Sequence, residues 1–134
     1  MGRFNHRAFA EEVHRQLGFL VTEFGFLGPD AGTDGWVAYH DDPLRVAVSL
    51  DHFGQDRGID IMITLRTADG KHLNARIEDL VIAAGLGSAQ AIRGGGQTRR
   101  AAIKAVATAT PFLRTLLPIL RGPDAAALIR RATA

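Results

Sequence analysis

The sequence predicts an α+β fold: an N-terminal helix, an antiparallel meander sheet of about five strands, and C-terminal helices packed on one sheet face. Three observations predict it. Residues 44–51 and 59–66 both set large aliphatic side chains at every second position, with mostly polar residues between them. Asp69-Gly70 is a hairpin turn that continues the second of these segments into a third. On either side of this region the apolar spacing changes from two to three and four. Consecutive strands with one oily side form an antiparallel sheet that buries that side, and the helical stripes supply the cover.

Each element has its own signature. Phe9, Val13, Leu17 and Leu20 recur at helical spacing among Glu11, Glu12 and Arg15, so residues 6–17 are predicted helical, capped by Asn5 and ended by Gly18. Phe19 to Leu27 is rich in aromatic and aliphatic residues and reads as a first strand, and residues 29–35 read as a turn. Trp36–His40 is a second strand, reversed by Asp41-Asp42-Pro43. Leu44, Val46, Val48 and Leu50 then oppose Arg45, Ala47, Ser49 and Asp51; Ile59, Ile61, Ile63 and Leu65 oppose Asp60, Met62, Thr64 and Arg66. A short fifth strand spans His72–Arg76.

After Ile77 a helix runs to Gly85, and Gly94-Gly95-Gly96 is a hinge before a helix capped by Thr98. Ile103, Val106, Thr110, Leu113, Leu117 and Leu120 give that helix its seam. Pro111 and Pro118 interrupt it, and a break or kink is expected at Pro111 with Thr110 recapping the second piece. Gly122-Pro123-Asp124 opens a last helix to about Arg131.

A length of 134 residues suits a single domain, with a sheet body over residues 1–92 and a basic helical tail over 93–134. Hydrophobic residues make up 46% and charged residues 22%, which excludes the composition of disordered chains. The chain has no cysteine, so disulfides, thiolate metal sites and thiol nucleophiles are excluded. No run approaches the ~20 apolar residues of a spanning helix, and the opening lacks the apolar core of a secretory signal. Cytoplasmic residence without membrane contact is the expectation.

Charge is segregated. Residues 1–92 carry eight Lys/Arg against thirteen Asp/Glu, whereas residues 93–134 carry eight against Asp124 alone, leaving −5 and +7. Such halves neutralise each other on folding or present charge to a ligand.

Three sites compete. The wetter sheet face carries Arg45, Met62 and Arg66 with Trp36 or Tyr39, residue types enriched at protein interfaces. Arg93, Arg99, Arg100 and Lys104 gather at a helix start, where backbone donors favour phosphate or nucleic acid. Asp30, Asp34, Asp51, His52, Asp56, Glu78 and Asp79 fall at one sheet end and would serve an enzyme or a cation site. They match neither the spacing of an EF-hand nor that of a zinc site, so no metal, cofactor or catalytic residue is assigned.

Gly25-Phe26 leading to Trp36-Val37-Ala38-Tyr39, the strand Leu44 to Asp51, and the segments Pro111-Phe112-Leu113-Arg114 and Ile119-Leu120-Arg121-Gly122 together resemble a loose class of small bacterial α+β proteins. Some of that class sit beside toxins and are regarded as immunity-type. The resemblance implies a non-enzymatic protein that binds a partner protein. That is the leading expectation, and self-association through a sheet edge is left open.

Overall fold

The computed structural model describes residues 6–31, 36–50, 59–87 and 99–134, with backbone alone at 6, 7, 31, 50 and 99–103. The elements are α1 His6–Leu17, α2 Phe19–Thr22, β1 Leu27–Ala31, β2 Trp36–Asp41, β3 Leu44–Leu50, β4 Ile59–Arg66, β5 His72–Arg76, α3 Ile77–Ala83, α4 Arg99–Leu120 and α5 Ala125–Ala132. The five strands form one antiparallel meander in the order β1-β2-β3-β4-β5.

Register follows the alternation of the sequence. Val37 and Tyr39 oppose Val48 and Val46, which oppose Ile61 and Ile63. All six are buried, as alternation requires of a half-covered sheet. The helices complete this core with Phe9, Val13 and Leu17 from α1, Leu80 and Val81 from α3, Val106, Leu113, Leu116, Leu117 and Leu120 from α4, and Leu128 and Ile129 from α5.

Two local expectations are corrected. Residues 19–22 are helical rather than extended. Gly18 keeps right-handed helical angles of φ −57° and ψ −23°, so the stripe from Phe9 through Leu17 continues into buried Phe19 and Leu20. The chain turns instead near Gly25, whose φ is +74°. The first strand therefore begins at Leu27 and runs through Pro29, at the sheet edge, where a missing donor is tolerated. A bulge lies between Leu27 and Asp30.

The second correction concerns α4: no break occurs at Pro111, the helix continues for 22 residues through Pro111 and Pro118, and Thr110, rather than capping a new helix, donates to the Val106 carbonyl at 3.1 Å. The carbonyls that each proline deprives of a donor belong to Ala107 and Arg114, which are exposed, as are both prolines. The unpaired carbonyls thus fall on the solvent-facing side, while Leu113, Leu116, Leu117 and Leu120 hold the opposite face in the core.

The same helix returns charge to the N-terminal half. Arg114 Nη1 and Nη2 donate to Glu23 Oε1 and Oε2 at 2.5 and 3.0 Å, and the guanidinium lies 4.0 Å from the Phe19 ring centre. One helical heptad later, Arg121 donates to Asp41 Oδ2 at 2.6 Å and to the Phe24 carbonyl, beside the rings of Phe24 and Phe26. Part of the segregated charge is thus neutralised within the fold.

Candidate functional site

Among the described residues, the helices pack on the side of the sheet that carries Tyr39, Val46 and Ile63 or at the sheet ends, and the other side carries three cross-strand rows of side chains. Trp36, Ser49 and Asp60 form the first. Asp30, Ala38, Ala47, Met62 and Arg76 form the second. Leu27, His40, Arg45, Thr64 and Asn74 form the third, with Arg66 and His72 beyond it on β4 and β5.

The structure brings Trp36, Arg45, Met62 and Arg66 together on this face as the sequence predicts. Tyr39 is corrected. It alternates with Ala38 and His40 onto the helix-covered side, where it is fully buried and its hydroxyl meets His14 Nδ1 at 3.0 Å. Burial pushes its phenol up to about 12 by disfavouring the phenolate.

The two halves of the face differ in how their polar groups are satisfied. Across β4 and β5, Thr64 Oγ1 donates to Asn74 Oδ1 at 2.7 Å, Arg76 lies 3.5 Å from Asp60, and Arg66 reaches Asp42 at 2.6 Å. Across β1 to β3, His40 Nε2 meets Asp30 Oδ2 at 3.0 Å. Arg45 has no carboxylate partner among the described residues; its guanidinium lies 5.9 Å from the centre of the Trp36 ring. Between their rows stand Ala38, fully buried, and Ala47, half-buried. Leu27, at the edge of this half, is 75% exposed.

Leu27, Asp30 and His40 were not among the predicted interface residues. The turn expected from Pro29 to Gly35 hid the strand residues Pro29 to Ala31, and the first strand expected over Phe19–Leu27 had its phase set by the wrong segment. Their signal lies in pairing with β2, a long-range contact that no local pattern encodes.

The other two predicted sites are only partly described. Arg93 lies outside the described residues. Arg99 and Arg100 occupy the first turn of α4 with side chains outside the described set, and Lys104 follows one turn later, exposed. Among the acids, Asp34, Asp51, His52 and Asp56 lie outside the described residues. Asp30 is on edge strand β1, while Glu78 and Asp79 follow the opposite edge strand β5. Four strand spacings of ~4.8 Å separate those edges by roughly 19 Å, so these acids do not share a site. Among the described residues no group of three His, Asp or Glu side chains is placed to hold a metal ion.

A cleft of about 460 Å³ opens at one sheet end between the Asp41-Asp42-Pro43 turn and the start of α5, over Leu44, Leu65 and Leu120. Its charges are already matched, Asp41 with Arg121 and Asp42 with Arg66. No helix is long and apolar enough to cross a membrane among the described residues. Comparison of the chain with protein-family models, with curated proteins and with solved structures finds no match.

Proposed function

We propose that this chain is a non-enzymatic protein-binding module of immunity or regulatory type, acting in the cytoplasm through the open face of its sheet. One observation carries the reading: among the described residues no helix lies over this side, and the chain's single tryptophan stands there partly exposed with Arg45, Met62 and exposed Leu27. Aromatic, Met and Arg side chains are the types enriched where proteins meet. The face spans roughly 19 Å across the strands and roughly 20 Å along them. That area suits the smaller, transient class of complexes.

Site-specific photo-crosslinking tests the proposal in cells that make the protein. A photoreactive amino acid at Trp36 or Met62 is expected to yield a discrete adduct with one other protein, and the same group at Lys104 or Arg131 none. Absence of adducts from the face, or identical adducts from all four positions, would refute it.

A further inference from the structure

We infer that the partner presents an acidic side chain, flanked by aliphatic ones, to the β1–β3 half of the open face, with Arg45 as its anchor. The inference rests on the open face being the interface and adds the chemistry of what docks there.

The three arginines on this side are not equivalent. Arg66 and Arg76 face Asp42 and Asp60 at 2.6 and 3.5 Å, whereas Arg45, at the middle of the sheet on β3, faces an aromatic ring. A guanidinium has five donors in a planar fork that fits a carboxylate, and stacking on Trp36 uses none of them. An incoming carboxylate therefore gains charge-assisted bonds without displacing an internal partner. A cation would meet only Asp30 among the described acids of this half, and Asp30 is held by His40. His40 is also the direct cross-strand neighbour of Arg45, so its ring stands beside the same anion.

Polarity selects the flanking groups. Ala38, fully buried, and half-buried Ala47 separate the Trp36 row from the Arg45 row. Leu27 offers an apolar contact on one side and Trp36 on another. A carboxylate with aliphatic neighbours meets Arg45 and these apolar contacts together. A long polar side chain leaves Leu27 and Trp36 in water.

The test uses the intact chain and a phage-displayed library of random twelve-residue peptides. Selected sequences are expected to share an Asp or Glu next to aliphatic residues. Synthetic, dye-labelled, Trp-free versions should bind by anisotropy and change the emission of Trp36, the sole tryptophan. Arg45→Glu should weaken them at least about tenfold, roughly 1.4 kcal/mol. Arg66→Glu and Lys104→Glu should change affinity less than about threefold, with circular dichroism confirming that every variant folds. Binders that change Trp36 emission yet lack an acid, or ignore Arg45→Glu, overturn the inference and leave the face as an interface. Failure to select any peptide that perturbs Trp36 overturns both.

Discussion

Tyr39 sits on the side of β2 that the helices cover, with its hydroxyl against His14 and the rest of its ring in the core. Ionising it leaves a phenolate in apolar surroundings, so its folded pKa rises from 10 to about 12. The sign follows from linkage: the neutral form is favoured by folding, so this contribution is intact below pH 10 and is lost as pH climbs from about 10 through about 12. The loss amounts to about 2 kcal/mol by pH 12. Tyr39 is the chain's single tyrosine, so phenolate absorbance reads it without overlap. The folded protein should titrate near 12 and the urea-denatured protein near 10; a common midpoint near 10 would mean that the ring is not buried. Gly28 makes a second residue-scale case, because its φ is +129° and an added Cβ would stand 2.9 Å from the Ala38 carbonyl oxygen. Gly25 has φ +74° but open space around it. Gly28→Ala should therefore cost about 2 to 3 kcal/mol in urea titration and Gly25→Ala about 1, the difference being the clash.

At the scale of elements, α4 poses the sharpest question, since proline inside a helix costs about 3 kcal/mol relative to alanine. Were Pro111 the first residue of a separate helix, that cost would be absent and alanine would be neutral or worse. It stands instead twelve residues after Arg99 and nine before Leu120, in the interior of one continuous helix. Pro111→Ala should stabilise the protein by about 1 to 2 kcal/mol, the remainder being offset by the freer unfolded chain. A loss of stability in the same measurement would restore the two-helix reading. Helix α1, strands β2 to β5 and helices α3, α4 and α5 were legible in the sequence, because period two and period 3.6 are local consequences of which side is buried. The segment from Phe19 to Ala31 was not. Aromatic and β-branched composition favours a strand at Phe19–Thr22, but burial of Phe19 and Leu20 against the core keeps it helical, and pairing with β2 makes a strand of Leu27–Ala31 despite its glycine and proline. Both are tertiary effects overriding local preference. The candidate face shows the same division: Arg45, Met62 and Arg66 were readable from alternation, whereas Tyr39 was placed on the wrong side because its strand is too short to reveal phase.

On the scale of the whole molecule, the acidic body and basic tail are halves of one core. Helices α4 and α5 contribute Val106, Leu113, Leu116, Leu117, Leu120, Leu128 and Ile129 to the cluster that covers Val46, Val48, Ile61 and Ile63. At about 1.5 to 3 kcal/mol for each large apolar side chain buried, these seven supply on the order of 10 to 20 kcal/mol. A domain's net stability is about 5 to 15 kcal/mol, so the sheet body has no reserve with which to replace them. Arg114 and Arg121 fasten the same helix to Glu23, Asp41 and the Phe24 carbonyl, joining residues 91, 80 and 97 positions apart in sequence. A chain ending at residue 98 is therefore expected to give a collapsed amide proton spectrum, whereas the full chain should lose its helical ellipticity and its Tyr39 near-ultraviolet signal in one coincident urea transition. If residues 1–98 alone gave dispersed resonances, or if the helical signal melted before that of Tyr39, the tail would be an appendage. Its arginines would then be free for an external anion, and the sheet would need another cover for its oily side.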